Sequence, residues 1–286
     1  EDGIKIKRIW ERNSFLTFPL FIKEIASKHK DKKKVLIEFE LSMFGDIQYL
    51  MLYPLFLVAL KLLKKEVIVV LHQVIPDIYE LSGNINIKPL SIKAGIYNIC
   101  LKIFYFLSLR LTSKAIVFEE ELKRRLMYLN KSKDIVVIPH GVEQFGSKLT
   151  KEQARKKLNI SQKKFVMLCF GYVAWYKGID RLISWFNNVK KDNFYSNHML
   201  IIAGGSNPNH VNKTHYRKYI NIVNKQNGCN DILVTGFVPE KMVPLYFKAC
   251  DLAVFPYRTF MSASGPLSMA LSFKKPFLVS RELIDI

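Results

Sequence analysis

Short apolar runs, each bounded by polar or turn residues, recur along the chain: Val35–Glu40 (VLIEFE), VIVVLH ending at His72, AIVF after Lys114 and IVVI before Pro139. The second half repeats the pattern with FVMLCF before Gly171, MLIIA before Gly204, ILV after Asp231, Leu252–Phe255 and Pro276–Val279. These runs are too short for helices and read as buried strands. Between them apolar residues return at helical spacing. LSMFGDIQYL turns through Gly45 into a helix that reaches about Leu63, with Pro54 in its early turns, where proline either kinks a helix or marks its true start. Further helices are expected over 92–114, after Glu119, over KEQARKKLNI and around Leu267, Ala270 and Leu271. Strand and helix alternate in both halves, so the pattern predicts an α/β chain of two Rossmann-like domains, 1–144 and 145–286. The polar segment Gln144–Lys164 is the expected crossing between them.

One unit is complete enough to carry chemistry: the strand, loop, helix and strand of Asp251–Ser280. Pro256, Tyr257 and Arg258 leave the first strand, and Ser262, Ala263, Ser264, Gly265 and Pro266 enter the helix. Ser is a good cap and Pro suits the first helical position. Amides at a helix start, two serines and a nearby arginine can cradle a diphosphate. The same residues also suit an ordinary capped helix. Upstream, Gly171 ends a strand and Lys177-Gly178 follow, a turn that brings amides and one mobile cation to a phosphate. His72 lies where ligands bind in parallel sheets, beyond the carboxyl end of its strand.

Composition narrows the partners. The 286 residues are 49% hydrophobic, enough for two cores, and carry 44 Lys and Arg against 24 Asp and Glu, a formal charge of +20. Such a charge favours an anionic partner. Nucleic acid is not favoured: no helix-turn-helix, RNP-type or zinc-finger signature is present, and the lysines are scattered. No DxD triad or His and carboxylate cluster marks a metal site, so metal-free chemistry without a cofactor is expected. Cys100, Cys169, Cys229 and Cys250 form no CxxC pair, consistent with reduced thiols and a cytoplasmic setting. Two stretches are apolar nearly all round. YLMLYPLFLVALKLL is too short for the ~20 residues that span a bilayer. The 92–114 stretch interleaves aliphatic and aromatic residues with Lys93, Lys102, Arg110 and Lys114. It can pack on a sheet, the favoured assignment, or lie on the inner face of an anionic membrane as a peripheral contact.

In chain order, the glycine-ended strand FVMLCFGYVAWYKG, MLIIAGG, ILVTGFVPE and the Asp251–Ser280 unit resemble the donor-binding half of family 4 (group 1) glycosyltransferases. IPHGVE at 138–143 looks like the lead-in to that half. IEFELSMFG and VVLHQV are similar to the acceptor half of a mannosyltransferase-like subgroup. The resemblance covers most of the chain and implies a GT-B fold, with two Rossmann-like domains whose parallel sheets face across a cleft. It also implies truncation at both ends, since the chain starts at Glu1 and the family's first strand and closing helices are not visible. By resemblance the activity is metal-independent, retaining transfer of a hexosyl group from a GDP- or UDP-linked sugar to a glycan or lipid-linked acceptor. The implied residues are His72 near the donor sugar, and Gly171, Lys177, Gly178, Val238, Tyr257, Arg258, Ser262, Ser264, Gly265 and Pro266 around the donor.

Two departures stand out. Tyr172 occupies the place where the family often has an arginine, and Arg258 is the expected substitute. The family's paired glutamates align with Met269 and the vicinity of Met261, so neither is present. Either the serines and amides of the SASGP turn hold the sugar, the favoured alternative, or the chain is a non-catalytic module that binds a nucleotide sugar or a partner. Glu119 or Glu120 lies at a strand end as a supporting group.

Overall fold

The structure, a computed structural model, describes residues 5–81, 87–88, 90–129, 134–141, 148–208, 210–228 and 231–284. The expected domain boundary at 144/145, the end of the 138–143 segment and Cys229 lie outside them. The chain divides into two compact units: Glu1–Tyr79, Pro89–Pro139 and Met261–Ala263 in the first, and Glu80–Lys88, His140–Phe260 and Ser264–Ile286 in the second.

In the first unit β1 (Lys34–Phe39), β2 (Glu66–Leu71), β3 (Lys114–Val117) and β4 (Ile135–Val137) form a parallel sheet in sequential order. Among the described residues it is accompanied by α1 (Thr17–Lys28), α2 (Ile47–Leu50), α3 (Tyr53–Leu62), α4 (Ile92–Leu111) and α5 (Glu120–Leu129). Pro54 sits in the first turn of α3 and so marks its start; a proline there removes an amide that would have no partner anyway. The core is aromatic. Phe39, Tyr53 and Phe104, all buried, meet pairwise with ring centroids 4.6 to 5.9 Å apart. A lysine run, KHKDKKK, precedes β1. Buried Lys65 donates to the carbonyls of His29, Lys30 and Lys32 at 2.9, 2.9 and 2.6 Å and so pins the turn that enters the sheet.

The second unit holds β5 (Phe165–Phe170), β6 (His198–Ala203), β7 (Ile232–Val234), β8 (Leu252–Phe255) and β9 (Phe277–Val279), all parallel, in the order β7-β6-β5-β8-β9. Its helices are α6 (Lys151–Lys157), α7 (Ile179–Val189), α8 (Thr214–Asn224), α9 (Val243–Ala249) and α10 (Gly265–Ser272). The central strands are buried on both faces, as continuous apolar runs in a doubly wound sheet must be. The chain moves outward from β5 to β7 and then returns to lay β8 on the other side of β5. The loops after β5 and β8 therefore diverge from one point, and open α/β sheets bind ligands at such a reversal.

Helix α6 is fastened to this sheet by a buried arginine. A reciprocal capping box between Thr150 and Gln153 starts the helix. Arg155, 1% exposed, then donates to the Ala249 carbonyl at 3.0 Å, the Gln162 carbonyl at 2.9 Å and Asp251 Oδ2 at 2.6 Å. Asp251 also accepts from Lys151 and from the Val166 amide at 2.7 Å. Burial pushes the Asp251 carboxyl up, but these donors outweigh it and hold it below the usual carboxylate range. Arg155→Ala removes the donor from the buried Ala249 carbonyl and weakens the hold on Asp251. We expect a loss of about 3 kcal/mol in urea unfolding, with a midpoint shift and an unchanged slope.

Candidate functional site

Two glycines let the loops after β5 and β8 approach. Gly171 has a φ of 106° and donates to the Ala203 carbonyl at 2.9 Å. Gly178 has a φ of 67°, and a Cβ there would stand 2.0 Å from the Pro256 carbonyl oxygen. Only glycine fits a left-handed position against a neighbouring backbone. The Trp175–Lys177 turn is then stitched to the β8 loop by Arg258. The Arg258 amide donates to the Tyr176 carbonyl at 2.6 Å, and its guanidinium donates to the Trp175 carbonyl at 2.7 Å. The same guanidinium stacks over the Trp175 ring at 4.8 Å and forms a two-pronged pair with Asp180 at 2.8 and 2.5 Å. Burial pushes Asp180 up, yet hydrogen bonds from Arg258 and Tyr219 hold it below the ordinary range.

These contacts bury Lys177. Its side chain, 5% exposed overall, ends 6.0 Å from the Tyr176 ring centroid and 5.9 Å from that of Tyr257. A Cβ at Gly171 would lie 2.6 Å from the Lys177 Nζ and 3.0 Å from Pro266 Cγ, so Gly171, Lys177 and Pro266 converge. Among the described residues the ammonium has no carboxylate partner and no hydrogen-bond acceptor. Cys169 lies nearby, but burial pushes its thiol up to about 11, so it stays neutral. Burial lowers Lys177 from 10.5 to about 8. The ammonium therefore rests against two aromatic faces without a counter-charge.

The other expected donor residues divide. Tyr257 is buried with its hydroxyl 3.1 Å from Ser264 Oγ, and that serine caps α10 by accepting from the Leu267 amide at 3.3 Å. Gly265 and Pro266 form the first turn of α10 beside them. Arg258 does not present a free guanidinium in place of the missing arginine. It is committed to Asp180 and to the Trp175 carbonyl. Val238 is buried after β7, two strands from β5. Ser262 groups by its contacts with the first unit, where its backbone pairs with Gln73.

In the first unit His72 follows β2, edge-on to Phe118 at 4.9 Å, with its Nε2 2.7 Å from Glu38 Oε2. Sequence reasoning missed Glu38 and Asp180. A usable signal for the first was a lone carboxylate at Glu38 near the carboxyl end of the apolar strand β1, beside the strand that ends at His72. For Asp180 no local pattern pointed to Arg258, which is 78 positions away.

The two parallel units make this the GT-B fold. Residues 150–282, which cover the second unit's sheet and its loops, match the family model of glycosyl transferases group 1. No curated protein matches the chain significantly in sequence. Among solved structures, the sucrose-phosphate synthase of Thermosynechococcus elongatus is similar with a TM-score of 0.65 and 15% identity over 93% of this chain and 61% of that one. Anabaena Alr3699/HepE, solved in complex with UDP and glucose, gives 0.65 and 14% over 96% and 66%. A UDP-forming α,α-trehalose-phosphate synthase from Burkholderia vietnamiensis gives 0.66 and 8% over 94% and 62%. The chain thus spans 61% to 66% of the length of these neighbours. The second unit thus resembles group 1 glycosyl transferases over residues 150–282, and the chain as a whole shares the fold of these neighbours.

Burial that lowers the Lys177 pKa implies a cost to the folded protein. The folded pKa of about 8 lies below the ordinary 10.5, so the penalty is fully present below pH 8 and is relieved as pH rises towards 10.5. Lys177→Met removes the charge and keeps the chain's length. We expect it to stabilise the free protein by roughly 3 kcal/mol at neutral pH, with the gap to wild type narrowing in unfolding measured near pH 10.

Proposed function

We propose that the chain transfers a hexosyl group from a GDP- or UDP-linked sugar, with the diphosphate held at the carboxyl ends of β5 and β8. The buried, unpaired Lys177 carries this assignment. A diphosphate there restores the charged lysine to its ordinary state and turns a destabilising group into a binding one. When the glycosyl bond breaks, negative charge grows on the leaving diphosphate. A cation fixed by Tyr176, Tyr257 and the glycine turn needs no reorganisation and stabilises that charge more in the transition state than in the ground state. Arg258 and Asp180 serve as positioning residues that keep the Lys177 turn against the β8 loop.

In the same proposal the first unit supplies the acceptor side, a glycan or lipid-linked hydroxyl. His72 touches the donor sugar or that hydroxyl, and Glu38 orients its ring by accepting from Nε2. The remaining nitrogen, Nδ1, is then free to accept a proton. Metal-independent transfer with retention and a mannosyl donor belong to this proposal on the strength of the family resemblance, and a cytoplasmic setting on the scattered, unpaired cysteines. The absence of carboxylates at Met269 and Met261 favours one other class, a module that binds nucleotide sugar without turning it over.

Calorimetric titration with free UDP and GDP tests the donor site. Lys177→Ala is expected to weaken whichever nucleotide binds by about 1.5 to 3 kcal/mol. Wild-type affinity should also fall as pH rises through about 8, because the free lysine must then take up a proton to bind. Unchanged affinity in the variant removes Lys177 from the site.

Turnover over a nucleotide-sugar panel separates enzyme from binding module. In an active preparation His72→Ala should lower turnover at least about a hundredfold with nucleotide affinity intact. Near-normal turnover would show that His72 has only a structural part.

A further inference from the structure

Helices α3 and α4 are apolar on two opposite faces. In α4 the inward face buries Leu101, Phe104 and Tyr105, while Ile92, Ile96, Ile99, Ile103 and Phe106 are exposed at 86%, 53%, 60%, 49% and 46%. The exposed set recurs at three- and four-residue steps and so forms one stripe along the whole helix. In α3 the inward face buries Phe56, Leu57 and Leu60, and Leu55, Val58 and Leu62 point away at 65%, 38% and 78% exposure. The two helices pack against each other, and each leaves an apolar stripe exposed. A contiguous apolar surface of this kind on a folded domain marks an interaction site.

We infer that this outer face docks on an anionic lipid bilayer, with α4 lying in the plane of the interface. Charge identifies the occupant. Neither helix contains an Asp or Glu, whereas Lys61, Lys93, Lys102 and Arg110 are all exposed. Helical spacing sets Lys93 and Lys102 on opposite flanks of the isoleucine stripe, where their stems can reach outward to headgroups while the stripe enters the acyl boundary. A second copy docked on the same face would bring these cations against their own counterparts with no carboxylate between them.

The helix is long and apolar enough by composition to cross a membrane, and its 20 residues measure about 30 Å. Its other side is fixed to the domain. Tyr105 Oη accepts from the Ile75 amide at 3.1 Å and Asn98 Oδ1 from the Ile78 amide at 2.6 Å, while Ser91 caps the start. Spanning would break these bonds and expose the buried aromatic face. Lying flat keeps them all. The packing assignment favoured from sequence therefore accounts for one face of α4, and the membrane assignment for the other.

The test uses the whole chain and no nucleotide, so its outcome is independent of the transferase proposal. Wild type is expected to cosediment with vesicles of phosphatidylcholine and phosphatidylglycerol in equal parts. Ile99→Ser with Ile103→Ser, at positions outside the core, should lower partitioning at least about tenfold at low and high salt alike. Lys93→Gln with Lys102→Gln should lower it by roughly fivefold per lysine at low salt, and the difference from wild type should vanish at high salt. Melting curves that match wild type establish that both variants fold. Failure of wild type to sediment overturns the inference, as does unchanged partitioning of the serine variant. Elution of wild type as a dimer that the serine pair converts to monomer, without vesicle binding, also overturns it.

Discussion

A lysine side chain packed inward without a carboxylate partner costs the folded chain free energy, and several contacts of the second unit hold Lys177 in that position. Gly171 and Gly178 admit the neighbouring backbones, Arg258 binds the Trp175–Lys177 turn to the β8 loop, and Tyr176 and Tyr257 close on the ammonium. Loosening any of these would let Lys177 swing out into solvent, which is its cheapest conformation. Together these contacts hold the Lys177 turn beside the β8 loop.

The parallel sheet explains where that happens. In the order β7-β6-β5-β8-β9 the chain reverses direction across β5, and the loops leaving β5 and β8 part without a connection to fill the space between them. Loop residues there are held by a rigid sheet below yet remain free to specialise. Asp251, at the entry to β8, secures the opposite end of the same strand through Arg155 and the Val166 amide, so β8 is fixed at its base.

The first unit has a different physical character. Its core is aromatic and its sheet short, and α3 and α4 carry apolar residues on both sides. Hydropathy alone cannot separate a helix buried all round from one that faces a core on one side and a lipid boundary on the other, because both are rich in Leu, Ile and Phe. Packing separates them. Tyr105 and Asn98 hold α4 to the loop after β2, and the isoleucine stripe remains outside.

The sequence by itself determined the nine strands, the alternation with helices and the glycine turns, since these follow from apolar run length and from backbone positions that tolerate no Cβ. It also singled out Lys177, because a lysine next to a glycine turn is a local signal. Tertiary structure alone decided which polar groups are spent on each other. Arg258 reads as a phosphate ligand until Asp180, far away in the chain, takes its guanidinium. Ser264 reads as a sugar ligand until it caps α10 and meets Tyr257. Glu38 is an unremarkable strand residue until the pairing of β1 with β2 brings it to His72. Strand and turn formation depend on neighbours in sequence, whereas the availability of a charged side chain depends on partners that only the folded chain assembles.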